Sequence, residues 1–154
     1  MIKIQQASAS RAAELSALAL RSKGYWGYDQ TFLEACRAEL TFSAADCTSG
    51  DRFLAVVNEV AVGLVLVRGS GPTGELAALF VDPPWIGTGV GRSLLQHARD
   101  LARRRGIVRL QLDADPGAES FYLRHGAERI GESPSGSIPG RSLPRLQFMI
   151  NTSP

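Results

Sequence analysis

The stretch Asp82-Pro-Pro-Trp-Ile-Gly-Thr-Gly-Val-Gly-Arg92 decides the fold of this chain. Residues 75–81, just before it, form an apolar run typical of a strand, and the two prolines must end that strand because proline donates no ladder hydrogen bond. After it, apolar residues recur at helical spacing from Val90 to Ala102, and Gly106 is suited to end that helix. The stretch therefore predicts a glycine-rich turn between a strand and an amphipathic helix.

The turn itself places three glycines before a helix amino terminus. Gly87, Gly89 and Gly91 carry no side chains, so successive backbone N–H groups can converge on an anion, and the helix dipole favours phosphate oxygens. The alternative is that these glycines serve backbone geometry alone. A dinucleotide fingerprint is excluded because Arg92 and Leu94 stand where glycine is required, and no Walker sequence occurs in the chain. We interpret the turn as a candidate pyrophosphate site.

Further strands and helices are predicted on both sides of the turn. Alternation in residues 2–4 predicts a first strand, and the next apolar pattern predicts a helix over about residues 10–22. A second helix, with Asp29 or Thr31 as its cap, is predicted to carry Phe32, Leu33, Cys36 and Leu40. Later strands are expected at 53–57, 61–67, 75–81 and 108–112, followed by a helix at 117–124 and two strands around a loop at 133–144. The order is β-α-α-β-β-β-α-β-α-β-β, an α/β chain that mixes hairpins with crossovers. This order excludes a purely parallel doubly wound sheet.

Length and composition restrict the class of protein. A chain of 154 residues with 44% hydrophobic and 21% charged residues is typical of a globular protein, and we expect one domain over residues 1–154. No apolar run approaches the roughly 20 residues of a membrane span, and the opening residues do not resemble a signal peptide, so a cytoplasmic location without membrane contact is expected. Cys36 and Cys47 lack metal-ligand spacing, so no metal site is expected.

The charge of the chain says less about its binding partners. The net charge of +2 is too close to balance for a protein that coats nucleic acid, so no nucleic-acid partner is expected. Six arginines nevertheless lie between Arg92 and Arg109, with Asp100 as the one acid among them. This segment is either a solvated helix face or an anion-attracting surface.

With these features, the sequence resembles the GCN5-related N-acetyltransferases (GNAT), whose acetyl-CoA signature is Gln/Arg-x-x-Gly-x-Gly/Ala between a strand and a helix. Residues 86–91 follow that pattern, with Ile86 where Gln or Arg is usual. The segment Asp115-Pro-Gly-Ala-Glu-Ser-Phe-Tyr-Leu-Arg-His-Gly-Ala127 is similar to the family's Asn-x-x-Ala-x-x-Phe-Tyr-x-x-x-Gly-Phe, and residues 79–83 are similar to its preceding strand. The resemblance implies a GNAT-like fold, with a central mixed, mostly antiparallel sheet flanked by helices.

The resemblance also implies acetyl-CoA as co-substrate and a role for individual residues. Tyr122 matches the family tyrosine that acts as general acid, with simple packing on the sheet as the alternative. Glu75 is the nearest strand carboxylate for a general base, with a solvent-facing glutamate or a water chain as the alternative. Backbone groups of Phe80 and Val81 are expected to orient the pantetheine arm. Further cofactor contacts are expected from Ile86, Gly87, Thr88, Gly89, Val90, Gly91, Arg92, Asp115 and Ala118.

Acceptor recognition is expected from irregular segments, because loops on a rigid sheet carry specificity. Tyr25, Trp26 and Tyr28 can stack on an apolar or cationic acceptor. The segment from Ser133 to Arg141 offers hydroxyls and a guanidinium that can bind a carboxylate. Core aromatics and a hairpin loop without a binding role are the alternatives.

The function implied is transfer of an acetyl group from acetyl-CoA to a primary amine of a small molecule or peptide. Transfer is expected in a ternary complex, without a covalent enzyme intermediate. One alternative is a non-catalytic acyl-CoA sensor, and another is a basic protein-interaction or nucleic-acid module that uses Arg99 to Arg109. A homodimer that pairs through the last strand, residues 146–150, stays open.

Overall fold

The computed structural model describes residues 1–49, 51–135 and 138–151. Within these residues the predicted order of strands and helices is confirmed, with one additional short helix. The elements are β1 (Lys3–Gln6), α1 (Ala12–Gly24), α2 (Gln30–Cys36), α3 (Ala44–Cys47), β2 (Arg52–Val57), β3 (Val60–Arg68), β4 (Thr73–Val81), α4 (Val90–Arg104), β5 (Arg109–Asp113), α5 (Glu119–Arg124), β6 (Glu128–Pro134) and β7 (Ser142–Met149).

Helix α3 is the additional element. The Ser43 hydroxyl accepts the N–H of Asp46, and the Asp46 carboxylate accepts the N–H of Ser43, so a reciprocal capping box starts the helix. With only four residues, the helix is too short to produce helical periodicity in the sequence. The Ser-x-x-Asp spacing is the signal that would have indicated it.

The strands form a sheet in the order β1-β2-β3-β4-β5-β7-β6. Antiparallel pairing joins β1 to β2, β2 to β3, β5 to β7 and β6 to β7. Strand β4 pairs with β5 in parallel, with Thr73 opposite Arg109 and Glu75 opposite Gln111. The sheet is therefore mixed and mostly antiparallel, as the family resemblance implied.

Strand β7 corrects the expected bounds of the last loop. It begins at Ser142, and Ser133 pairs with Leu143, so the predicted loop at 133–144 was too long at both ends. Serine and proline composition favoured a loop, whereas the ladder with β6 imposes an extended backbone. In the sheet, β7 lies between β5 and β6, and its ladder with β6 ends at Gln147; the homodimer through residues 146–150 stays a prediction.

The chain divides into two compact units, Met1–Leu66 with Ala78–Ala98 and Val67–Ala77 with Arg99–Pro154. Strands β3 and β4 and helix α4 contribute residues to both units. The expectation of a single domain stays a prediction.

Two clusters of buried apolar side chains lie among the described residues of the first unit. Leu15, Leu18, Leu54 and Leu64 belong to the larger cluster, and Phe80 of β4 packs against both clusters. Phe80 is thereby anchored by its ring, while its backbone stays part of β4. The carboxyl end of β4 is consequently held in place by the core.

Gly63 of β3 permits a close approach by helix α4. A Cβ at Gly63 would lie 2.6 Å from Cδ1 of Leu94, 2.8 Å from Cγ1 of Val90 and 3.2 Å from the carbonyl oxygen of Phe80. Only glycine leaves room for this contact. The first turns of α4 therefore rest directly on β3, and this contact positions the glycine-rich turn that precedes the helix.

In the second unit, β5 and β7 have one apolar face and one polar face. Leu110 and Leu112 of β5 and Leu146 and Phe148 of β7 are almost fully buried. The alternating positions are polar and partly exposed, among them Gln111, Arg145 and Gln147. The polar face carries a side-chain network that includes one predicted site residue.

Candidate functional site

The glycine-rich turn joins β4 to α4 in the first unit. A 3-10 turn at Pro83–Trp85 follows β4, and Gly87 and Gly89 then adopt φ values of +85° and +97°, with no heavy atom within 4 Å of a Cβ placed on either. Only glycine adopts such positive φ values without strain, so backbone geometry alone explains why residues 87 and 89 are glycines. The open space is an additional property, because it lets a ligand approach the backbone closely.

Backbone donors line the start of α4. The N–H of Ser93 donates to the carbonyl oxygen of Gly89 at 3.0 Å, and the amides of Val90, Gly91 and Arg92 precede this first helical bond. Amides in these positions have no carbonyl partner within a helix. Three N–H groups, the helix dipole and the exposed Arg92 thus suit a pyrophosphate. The Thr88 hydroxyl is used within the turn, since it donates to the carbonyl oxygen of Trp85.

Helix α1 holds the end of β4 through two residues that the sequence analysis did not single out. The N–H of Val81 donates to the hydroxyl of Ser22 at 3.2 Å. Beside it, the Arg21 guanidinium donates to both carboxylate oxygens of Asp82, at 2.9 and 3.1 Å. The last turn of α1 is therefore joined to the two residues that lead into the glycine-rich turn.

The predicted aromatic segment follows α1 directly. Tyr25 and Trp26 meet edge to face at 5.0 Å and are 50% and 37% exposed, so they are not core aromatics. Tyr28 stacks on Phe32 at 4.0 Å, and the Lys23 ammonium lies 5.4 Å from the Tyr28 ring. Tyr25 and Trp26 thus offer free aromatic surface, whereas Tyr28 is engaged within its own segment.

Tyr122 lies on α5 in the second unit and is only 6% exposed. Its ring contacts Phe121 and Phe148, with centroids 5.2 and 6.3 Å away. Burial raises the pKa of the Tyr122 phenol well above its ordinary value, and the negative charge of Asp115 raises it further. Tyr122 therefore stays protonated at neutral pH and keeps a proton to donate.

Asp115 and Arg141 lie together in the second unit. The Asp115 carboxylate accepts the N–H of Gly117 at 2.9 Å, and a guanidinium nitrogen of Arg141 is 3.8 Å from its other oxygen. The N–H of Ala118 donates to the backbone carbonyl of Asp115 at 2.8 Å. The charge of Asp115 is thus partly compensated by Arg141.

The predicted acceptor segment from Ser133 to Arg141 is described only in part. Ser133 belongs to β6, whereas residues 136 and 137 lie outside the described residues. Of this segment, the structure therefore places Ser133 in a strand and Arg141 beside Asp115.

Glu75 is engaged in an ion pair on the polar face of the second unit. The two terminal nitrogens of Arg145 donate to its two carboxylate oxygens, both at 2.8 Å, and Arg145 also donates to Asp113 and Gln111. The Glu75 carboxylate raises the pKa of Arg145. A base at Glu75 has to act while both of its oxygens accept hydrogen bonds from Arg145.

The cysteines do not form a nucleophilic site. Cys36 and Cys47 are both free and buried, and burial raises the pKa of the Cys47 thiol. A raised pKa disfavours the thiolate, which is the nucleophilic form.

Four of the arginines between 92 and 109 bind internal partners. Arg99, Arg103 and Arg105 donate to the backbone carbonyls of His125, Asn151 and Val67, respectively. Arg109 donates to the Thr73 hydroxyl at 3.1 Å. These contacts give four of the six arginines in this segment a structural role. Among the described residues, no helix is long and apolar enough to cross a membrane.

The fold was compared with solved structures and the sequence with protein families. PaiA N-acetyltransferase from Thermoplasma acidophilum, solved with coenzyme A, matches with a TM-score of 0.79 and 19% identity over 97% of this chain and 99% of its own. A GCN5-related N-acetyltransferase from Rhodopseudomonas palustris matches with a TM-score of 0.79 and 23% identity over 97% and 94% of the two chains.

The ribosomal-protein-S18-alanine N-acetyltransferase from Escherichia coli matches with a TM-score of 0.71 and 18% identity over 100% and 97% of the two chains. At these identities, the likeness shows the fold. No protein with a curated function matches the sequence significantly. The model of the acetyltransferase (GNAT) family matches residues 18–127, and because this is more than half of the 154 residues, the chain belongs to the acetyltransferase (GNAT) family.

Proposed function

We propose that this protein transfers the acetyl group of acetyl-CoA to a primary amine of a small molecule or peptide, in a ternary complex. The observation that carries the proposal is the open glycine-rich turn before α4, where the first helical amides have no carbonyl partner within the helix. Coenzyme A in the PaiA structure supports it. The buried cysteines support direct transfer, because neither is placed to carry the acetyl group.

The first unit would bind the cofactor. Amides of Val90, Gly91 and Arg92 hold the pyrophosphate, and Gly87 and Gly89 leave the space for it. Ile86 and Thr88 complete the turn, and backbone groups of Phe80 and Val81 orient the pantetheine arm. Asp115 and Ala118 are assigned cofactor contacts by their match to the family segment. When bound, acetyl-CoA supplies an acetyl group activated as a thioester.

Three functions remain for the side chains. Tyr122 donates its proton to the departing thiolate, and its raised pKa means that the phenol is in the protonated form at neutral pH. Glu75, directly or through water, takes the proton of the attacking amine. Tyr25, Trp26 and Tyr28 contact the acceptor, and Ser133 and Arg141 add polar contacts to it. Holding the amine against the thioester accounts for a large share of the rate enhancement.

Calorimetric titration with acetyl-CoA tests the cofactor site. Gly89→Glu places a carboxylate in the turn and should abolish binding by bulk and charge. Gly106→Glu is the matched control, because Gly106 also has a positive φ of +72° and open space around it but ends α4 instead of preceding it. Its affinity should equal that of the wild type. If folded wild-type protein does not bind acetyl-CoA, the proposal is wrong.

An amine screen with Tyr122→Phe tests the chemistry. Loss of a general acid should lower the rate of acetyl transfer about 100-fold or more, while acetyl-CoA affinity stays within a factor of about two because the hydroxyl acts only on the leaving group. Binding without acetylation of any amine would instead favour the acyl-CoA sensor. Salt-dependent binding to nucleic acid without binding of acetyl-CoA would favour the arginine surface.

A further inference from the structure

The hydroxyl of Ser22 joins helix α1 to strand β4. This serine lies in the last turn of α1 and is 8% exposed. A helical serine commonly bonds to a carbonyl of its own helix, as Ser16 does with Ala12 at 2.8 Å. The Ser22 hydroxyl accepts the N–H of Val81, 59 positions along the chain, at 3.2 Å.

The direction of the Val81 amide connects this contact to ligand binding. The next amide, that of Asp82, donates to the carbonyl of Val62 in β3 at 2.9 Å. Successive N–H groups of a strand point to opposite edges, so the Val81 amide points away from β3. Ser22 covers the amide on that edge, which is the position where an extended ligand would pair with β4.

We propose that the Ser22 hydroxyl is an internal competitor for the amide of Val81, which it occupies in the ligand-free protein and releases to a carbonyl oxygen of the acyl-CoA pantetheine arm. This rests on the proposed function, in which Val81 orients that arm. The hydrogen bond gives the N–H of the partly buried Val81 a partner before the ligand binds. It therefore stabilises the ligand-free state and weakens binding of the arm.

The neighbouring ion pair keeps the exchange local. Arg21 stays bound to Asp82 through two hydrogen bonds at 2.9 and 3.1 Å. Helix α1 therefore remains attached to the end of β4 when the hydrogen bond between Ser22 and Val81 breaks. Rotation of one serine side chain is then sufficient, and the hydroxyl can donate to a carbonyl of the preceding helical turn. The exchange requires no movement of the helix.

Calorimetric titration of Ser22→Ala tests the competition. With the competitor removed, CoA should bind about two- to tenfold more tightly than to the wild type, which is the net value of one hydrogen bond. Adenosine 3′,5′-bisphosphate lacks the pantetheine arm, so its affinity should be the same for both proteins. Unchanged or weaker CoA binding by Ser22→Ala overturns the inference.

Ser16→Ala is the matched control. Ser16 lies in the same helix, and its hydroxyl likewise accepts a backbone N–H, that of Phe42, at 2.8 Å, but it does not bond to β4. CoA affinity of this variant should equal that of the wild type. A gain as large as that of Ser22→Ala would assign the effect to a loosened α1, and the inference would fail.

Hydrogen exchange of the ligand-free proteins adds a readout that needs no activity. The Val81 amide should exchange faster in Ser22→Ala than in the wild type, and CoA should restore its protection. If Ser22→Ala does not fold, Ser22→Cys replaces it; because a thiol is a weaker acceptor, a smaller gain in CoA affinity is expected, and no gain overturns the inference. If no variant and no wild type binds CoA, the proposed function itself fails.

Discussion

At the scale of single residues, Tyr122 gives the clearest link between burial and pH. Its pKa is raised in the folded protein, whereas in the unfolded chain the phenol ionises near pH 10. Above about pH 10 the unfolded state releases this proton and the folded state keeps it, so stability falls as pH rises.

Tyr122→Phe should remove that contribution. The difference in free energy of unfolding between wild type and variant should be constant below about pH 9 and shift against the wild type above pH 10, by up to about 1.4 kcal/mol per pH unit. Urea unfolding at a series of pH values measures it. Phe121→Leu loses packing on the same helix without an ionisable group, so its difference from wild type should not change over this range.

The ion pair of Glu75 and Arg145 yields a second prediction at this scale. Both groups are partly exposed, at 35% and 22%, so the pair is worth less than a buried one, but two parallel hydrogen bonds strengthen it. In a double-mutant cycle with Glu75→Met and Arg145→Met, we expect a coupling of about 1 kcal/mol in the free energy of unfolding.

The pair of Glu34 and Arg37 is the control for this cycle. Both of its side chains are more than half exposed, at 54% and 52%, so its coupling should be smaller. Equal couplings for the two cycles would show that the hydrogen bonds of Arg145 with Asp113 and Gln111 do not strengthen its coupling with Glu75.

At the scale of elements, Gly63 determines how α4 rests on the sheet. Gly63→Ala should lower stability by about 1–3 kcal/mol through overpacking and should weaken acetyl-CoA binding at least about threefold, because a shift of the first turn misplaces its amides. Thermal unfolding and calorimetry measure the two effects.

Gly74→Ala is the comparison that separates stability from binding. Its Cβ would lie 2.4 Å from Cδ1 of Ile107 and 3.0 Å from the carbonyl oxygen of Arg68, so it is similarly crowded. We expect it to lose stability and to keep its acetyl-CoA affinity. Equal loss of affinity in both variants would contradict the role given to Gly63.

Gly71 and Gly24 give opposite predictions for the same substitution. A Cβ at Gly71 would lie 1.9 Å from the carbonyl oxygen of Gly106, which is backbone, whereas at Gly24 the nearest atom is Cδ1 of Leu33 at 3.6 Å. Gly71→Ala should therefore destabilise the protein by about 3 kcal/mol. Gly24→Ala should stabilise it by about 0.5 kcal/mol, since it lowers the entropy of the unfolded chain. Denaturant unfolding of both variants checks the signs.

At the scale of the whole molecule, the two compact units are predicted to unfold together. Strands β3 and β4 and helix α4 supply residues to both, so neither unit can unfold without breaking elements of the other. Trp26 and Trp85 belong to one unit, so tryptophan fluorescence reports on that unit, whereas far-UV circular dichroism reports on the whole chain. The two transitions should coincide in urea; separate midpoints would indicate two domains.

Much of the fold and part of the site could be predicted from local patterns. The prolines that end β4, the glycines at 87 and 89 and the helical periodicity of α4 are each encoded within a few neighbouring residues. Helix α3 was missed because it is too short to be periodic. The ends of β6 and β7 were missed because composition favoured a loop there, whereas cross-strand pairing holds the chain extended.

The sequence by itself determined the order of elements, the family and the position of the glycine-rich turn, because these depend on backbone conformation and on the spacing of apolar residues. Only the tertiary structure decided which side chains meet. The bonds of Ser22 with Val81, Arg21 with Asp82 and Arg145 with Glu75 join residues 59, 61 and 70 positions apart. Periodicity carries no signal over such separations, since it is the packing of whole elements that brings these groups within hydrogen-bonding distance.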